Sequence, residues 1–151
     1  MMVFEPASAL PRQITSTDLK RLTRVLARTL PRQQGRPPRT IGLRFVSPLA
    51  IRRLNRAYRR LDRATDVLSF PCFQPSKPMV AARHEPWPLG DIVICPSYAA
   101  REARRRGIAL REELVRLLVH GALHLVGFDH ATEREETRMF SLQEHVVACV
   151  I

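Results

Sequence analysis

Residues 120–130 read "HGALHLVGFDH" and place His120, His124 and His130 at intervals of four and six in an otherwise apolar run. Residues i and i+4 of a helix share a face, about 6 Å apart at the β carbons. His120 and His124 therefore suit two ligands of one metal ion. Gly127 is free to take a left-handed conformation and end the helix. The chain then turns, and His130 is positioned to return as a third ligand. Three imidazoles leave a fourth coordination position open for water, the arrangement of a catalytic rather than a structural zinc site. Core histidines satisfied by hydrogen bonds are the competing explanation. Burying several imidazoles without partners costs a few kcal/mol each, and one shared ion removes that cost for all three. His84 and His145 fall outside the pattern, as a loop residue and a helix-surface residue.

The spacing H-x3-H-x2-G-x2-H is also that of the metzincin peptidases, whose pattern is H-E-x-x-H-x-x-G-x-x-H. Here Gly121 stands where those peptidases carry the glutamate that activates water. Glycine cannot serve as a general base. The residues thus predict a zincin-like metal-dependent hydrolase directed at other chemistry.

A sequence of elements must bring these residues together. "STDLKRLTRVLARTL" (16–30) opens on a cap signal and continues with Leu19, Leu22, Val25, Leu26 and Leu30 at helical spacing. "PRQQGRPP" (31–38) is a loop. "RTIGLRFVS" (39–47) alternates as a strand. "TDVLSFPCF" (65–73) and "LGDIVICP" (89–96) are two more strands, separated by a Pro-rich surface loop at 74–88. "PSYAAREARRRG" (96–107) is a short helix ended by Gly107. Residues 109–128 form a long helix. Residues 131–151 form a last helix, with Thr132 as cap and Glu135 at the capping-box position. The pattern predicts one α+β domain over 1–151, a small mixed β-sheet packed with about five helices.

The segment 48–61, "PLAIRRLNRAYRRL", is a helix with proline at its first position. At about 100° per residue, Ile51, Leu54, Tyr58 and Leu61 form the stripe expected to be buried. Arg52, Arg53, Arg56, Arg59 and Arg60 gather on the other side. Such a row is either a solvated face or a set of guanidinium forks matched to phosphate. Arg101 and Arg104 to Arg106 form a second basic cluster. The net charge is +11, from 23 Arg, 2 Lys and 14 acidic residues. An anionic partner follows from that excess, and nucleic acid is the commonest. Genome composition is a competing explanation for arginine over lysine, and a weaker one for the size of the net charge.

The N-terminus lacks the basic and apolar regions of a signal peptide, and no apolar run reaches about 18 residues. Cys72, Cys95 and Cys149 have no metal-binding spacing. They are expected to be reduced and to behave as small buried hydrophobes. A cytoplasmic protein with no membrane partner is the expectation.

"HGALHLVGFDH" resembles the signature H-G-x-L-H-L-x-G-[YF]-D-H of the YbeY family of bacterial metal-dependent endoribonucleases. "LNRAYRRLDRATDVLSFP" (54–71), "LGDIVIC" (89–95) and "EETRMFSLQE" (135–144) agree with it as well. The resemblance covers most of residues 41–150. Where the family usually has "GKDKPTDVLSFP", this chain has "RLDRATDVLSFP", a loop difference that leaves the proposed ligands intact. The resemblance implies one Zn2+-like ion on His120, His124 and His130, and a catalytic role for Arg59. An arginine fork placed at a scissile phosphate stabilises the charge that builds there. RNA brings its own 2′-hydroxyl, so an external water need not be the nucleophile. Asp129, Asp66 and Asp91 are candidates for polar groups near the site, or for turn and cap roles.

The implied function is a single-strand-specific metal-dependent endoribonuclease. It would mature the 3′ end of 16S rRNA and take part in 70S ribosome quality control. Its partners would be small-subunit rRNA and, alongside it, ribosomal or assembly proteins. A non-catalytic ribosome-assembly factor with a structural metal is one alternative. A zinc peptidase is another, disfavoured by Gly121.

Overall fold

A computed structural model describes residues 2–30, 39–72 and 87–151. The expected loops at 31–38 and 74–88, with His84, fall almost wholly outside them. In chain order the elements are β1 (Met2–Pro6), α1 (Ser16–Thr29), β2 (Arg39–Phe45), α2 (Pro48–Arg59), β3 (Val67–Pro71), β4 (Trp87–Ile94), α3 (Pro96–Arg106), α4 (Leu110–Leu125) and α5 (Glu133–Val150). The α+β class is as expected: among the described residues, five helices pack on one mixed four-stranded sheet. The strand order is β1-β2-β4-β3. β1 and β4 run parallel to β2, and β3 is an antiparallel edge strand.

β4 shows why both faces of the sheet are covered. Its side chains alternate, so Ile92 and Ile94 enter a large core with Leu22 and Leu26 of α1, Leu118 of α4 and Val146 of α5. Val93 points the other way, into a smaller cluster with Ile51 of α2, Leu68 of β3 and Cys95. α4 lies over β3 and β4, flanked by α3 and α5. It is the most enclosed helix, and Leu114, Val119, Ala122 and Leu123 are fully buried.

Side-chain caps fix where α1, α2 and α5 start. Thr15, one residue before the predicted start, caps α1 in a capping box with Asp18. Thr132 and Glu135 form the expected box at α5. Gly107 takes φ 69° and ends α3.

Three expectations need correction. β1 has no forerunner in the sequence reading, because five residues at the N-terminus carry too little period to stand out. The stripe on 48–61 is wrong at its far end. The helix stops at Arg59, Arg60 turns left-handed at φ 58°, and Tyr58 and Leu61 are 69% and 42% exposed. Asn55 is buried in their place, where its Nδ2 donates to the Arg63 carbonyl at 2.9 Å and folds the following loop back on the helix. Of the cysteines, only Cys95 is a buried hydrophobe; Cys72 and Cys149 are exposed, and all three are free. His145 lies on the exposed surface of α5, as expected. No helix among the described residues is long and apolar enough to cross a membrane.

Candidate metal centre

α4 carries His120 and His124 one turn apart, and the turn after it carries His130. The first link is packing. Gly121 lies against Ile92 of β4, and a β carbon there would meet Ile92 Cδ1 at 2.8 Å and Cγ1 and Cγ2 at 3.0 Å. Glycine therefore lets α4 press onto the sheet. A glutamate at 121 would drive into that packing, so the peptidase's base has no room here.

The second link is the turn. Gly127 takes φ 97°, which glycine adopts without steric cost. Its N–H donates to the His124 carbonyl at 3.0 Å, and the Phe128 N–H donates to the Leu123 carbonyl at 3.0 Å. The turn that ends the helix also brings the Phe128 carbonyl back to His124 Nδ1, at 3.0 Å.

The three rings converge. Each offers one ligand atom, and these atoms lie within 4.8 Å of one another. His120 and His124 approach at 3.1 Å between their Nε2 atoms. Two nitrogens held about 2.05 Å from one tetrahedral ion are about 3.3 Å apart. The site opens to solvent on the side of His130, which is exposed. Phe140 of α5 stacks near it, with its ring centroid 6.3 Å from that of His120 and 6.5 Å from that of His130.

Hydrogen bonds identify the atoms that are free to bind. A carbonyl oxygen only accepts, so His124 Nδ1 must carry a proton toward Phe128. His120 Nδ1 faces Gln143 Oε1 at 3.0 Å and likewise donates. In the neutral rings both Nε2 atoms are then lone pairs, pointed at one another across 3.1 Å. A proton between them requires one ring to be charged. Burial pushes His120 below the ordinary imidazole range; Gln143 opposes this, while the charges of His130 and Arg59 add to it. Burial lowers His124 as well, with His120 and His130 adding to it. A divalent cation satisfies both lone pairs without protonating either ring, so the donor set fits a zinc-like ion.

The other predicted residues divide into two groups. Arg59, in the last turn of α2, is exposed and near enough for its charge to act on His120. Asp66 also acts on His120 through its charge, while its Oδ1 accepts from Val67 N at 2.8 Å and Thr65 Oγ1 at 3.1 Å. Asp129 accepts from the His130 N–H at 2.8 Å, a turn role, and its charge also acts on His124. Asp91 lies over Gly42 of β2. Gln143 and the Phe128 carbonyl are the functional groups that sequence reasoning missed. A signal existed for Gln143, a lone amide in the stripe Met139, Gln143, Val146, Val147, Val150 that α5 buries.

Residues 9–150 match the model of the family described as Endoribonuclease YbeY. The chain is 34% identical over 146 residues to the endoribonuclease YbeY of Kineococcus radiotolerans, a match covering 97% of this chain and 83% of that protein. It is 45% identical over 107 residues to the endoribonuclease YbeY of Myxococcus xanthus, covering 71% of this chain but only 35% of that longer protein. A solution structure from Thermotoga maritima superposes with a TM-score of 0.62 at 27% identity, covering 99% of this chain and 89% of that one.

Proposed function

The chain belongs to the endoribonuclease YbeY family, and from that premise we propose that it is a single-domain, zinc-dependent endoribonuclease acting on single-stranded rRNA. The observation that carries the metal in this reading is the 3.1 Å approach of two Nε2 atoms, each on a ring whose Nδ1 is already engaged. His120, His124 and His130 hold the ion. When bound, it supplies Lewis-acid polarisation of a phosphate oxygen or a water of lowered pKa.

The protein's own residues supply the rest. Arg59, whose charge acts on His120, is assigned the guanidinium fork for the charge that builds on the phosphoryl oxygens during cleavage. Arg53 and Arg56 of the same helix and Arg104 of α3 are exposed and available to the backbone of a polyanion, whereas Arg105 pairs with Glu102 at 2.7 Å and Arg101 stacks on Tyr98 at 4.5 Å. Arg52 is engaged by Asp62 at 2.9 Å. The substrate we assign is the 3′ end of 16S rRNA in the cytoplasm, with ribosomal or assembly proteins as partners and a part in 70S ribosome quality control.

The test joins elemental analysis of the purified protein to cleavage of a single-stranded 16S 3′-end RNA, with and without chelator. We expect bound zinc, cleavage that the chelator stops, and no cleavage by a folded His124→Ala variant. Metal-independent cleavage overturns the mechanism, and a metal-loaded protein that never cuts RNA leaves only an assembly factor.

A further inference from the structure

Gln143 is 4% exposed, on the apolar stripe of α5. A buried amide is costly unless both of its ends are bonded. Here both are. Oε1 faces His120 Nδ1 at 3.0 Å, and Nε2 donates to Glu144 Oε1 at 3.1 Å. A carboxylate only accepts, so Glu144 holds the NH2 end and turns the oxygen toward the histidine. Glu144 is fixed in turn by Arg116 of α4, whose Nε and Nη2 donate to its two oxygens at 2.9 and 3.0 Å. The Arg116 side chain is only 14% exposed and also bonds Glu112 at 3.0 Å.

The amide's direction matters because its two ends have the same shape and opposite hydrogen-bonding character. Reversed, the NH2 group would face Nδ1 and force that atom to accept. The proton of His120 would then sit on Nε2, the atom 3.1 Å from His124 Nε2 and the only ring nitrogen left to bind an ion. We infer that Arg116, Glu144 and Gln143 form a positioning relay that sets the tautomer of His120 and so keeps Nε2 open for the metal. The inference rests on the metal reading above. His124 is independent of the relay, because a backbone carbonyl fixes its tautomer, and it serves as an internal reference.

The experiment measures Zn2+ affinity of the full-length chain by competition with a chromophoric chelator. Long-range 1H–15N spectra of the metal-free protein report each ring's tautomer. Removing an outer partner of a metal-bound histidine typically weakens the metal 10–100-fold. Gln143→Leu is expected to weaken Zn2+ by about that factor and to scramble the His120 tautomer while His124 keeps its Nδ1 proton. Gln143→Glu, which has no donor end to reverse, should restore tight binding. Glu144→Gln should fall between, with a mixed His120 tautomer, and it tests the relay even if Gln143→Leu fails to fold. Wild-type affinity together with an unmixed Nδ1–H tautomer in Glu144→Gln and Gln143→Leu overturns the relay alone. A wild-type protein that binds no Zn2+ overturns the metal reading and the relay with it.

Discussion

His120 and His124 meet at Nε2, and each has its Nδ1 engaged elsewhere. Removing one ring should therefore act on metal and stability together. His120→Ala is expected to lower zinc content and the unfolding temperature in step, since the ion binds only the folded state. Elemental analysis paired with calorimetry checks this; unchanged stoichiometry would take His120 out of the ligand set. Arg59 is a different kind of residue, exposed and outside the histidine trio, with its charge felt at His120. Arg59→Glu should slow RNA cleavage by about 100-fold or more while zinc content stays at the wild-type level. A variant that still processes RNA at the wild-type rate would exclude Arg59 from the reaction.

α4 carries His120 and His124 and also packs on the sheet, and Gly121 is where the two demands meet. The β carbon of Gly121→Ala would press on Ile92 at 2.8–3.0 Å. Overpacking of this kind costs about 1–3 kcal/mol, to be read from urea unfolding. Ile92→Val removes the nearest atom, Cδ1, and should return part of the loss when combined with Gly121→Ala. Strict additivity of the two substitutions would mean that they do not touch. The turn after α4 shows the same economy. Gly127 ends the helix, and the carbonyl of the next residue orients His124.

Across the whole molecule, ion pairs tie α4 to its neighbours, Arg116 with Glu144 of α5 and Arg111 with Asp18 of α1. Arg116 holds the Glu144 carboxyl below its ordinary 4.5. Burial works against ionisation of Asp18, but hydrogen bonds from Arg111 and Thr15 outweigh it and hold that carboxyl below 3.8. Both groups bind protons more readily in the unfolded chain. Their contribution is complete above about pH 4.5 and is lost as pH falls through the lower folded values. The unfolding temperature should drop on that acid side, and drop less steeply in Glu144→Gln. An unchanged acid slope in that variant would show that the pair contributes nothing. At neutral pH, stripping the metal should also be felt globally. An ion at 100 times its dissociation constant adds about 2.7 kcal/mol, so chelation should lower the unfolding temperature by roughly 5–10 °C. Differential scanning with and without chelator, then with zinc restored, measures it.

Spacing alone picked out His120 and His124, because i and i+4 on a helix share a face whatever the helix packs against, and the turn at Gly127 brings His130 to them. Gly127 and Thr132 were equally legible, since a left-handed turn and a helix cap are local events. The stripe on α2 misled because helical phase holds only while the helix lasts, and it ends at Arg59, before Leu61. Only the folded chain brings Gln143, 23 residues beyond His120, into contact with it. Only there does Gly121 find Ile92 across the helix–sheet interface. Local geometry follows from neighbours in the chain, whereas the proton on His120 is decided by side chains that meet through tertiary packing.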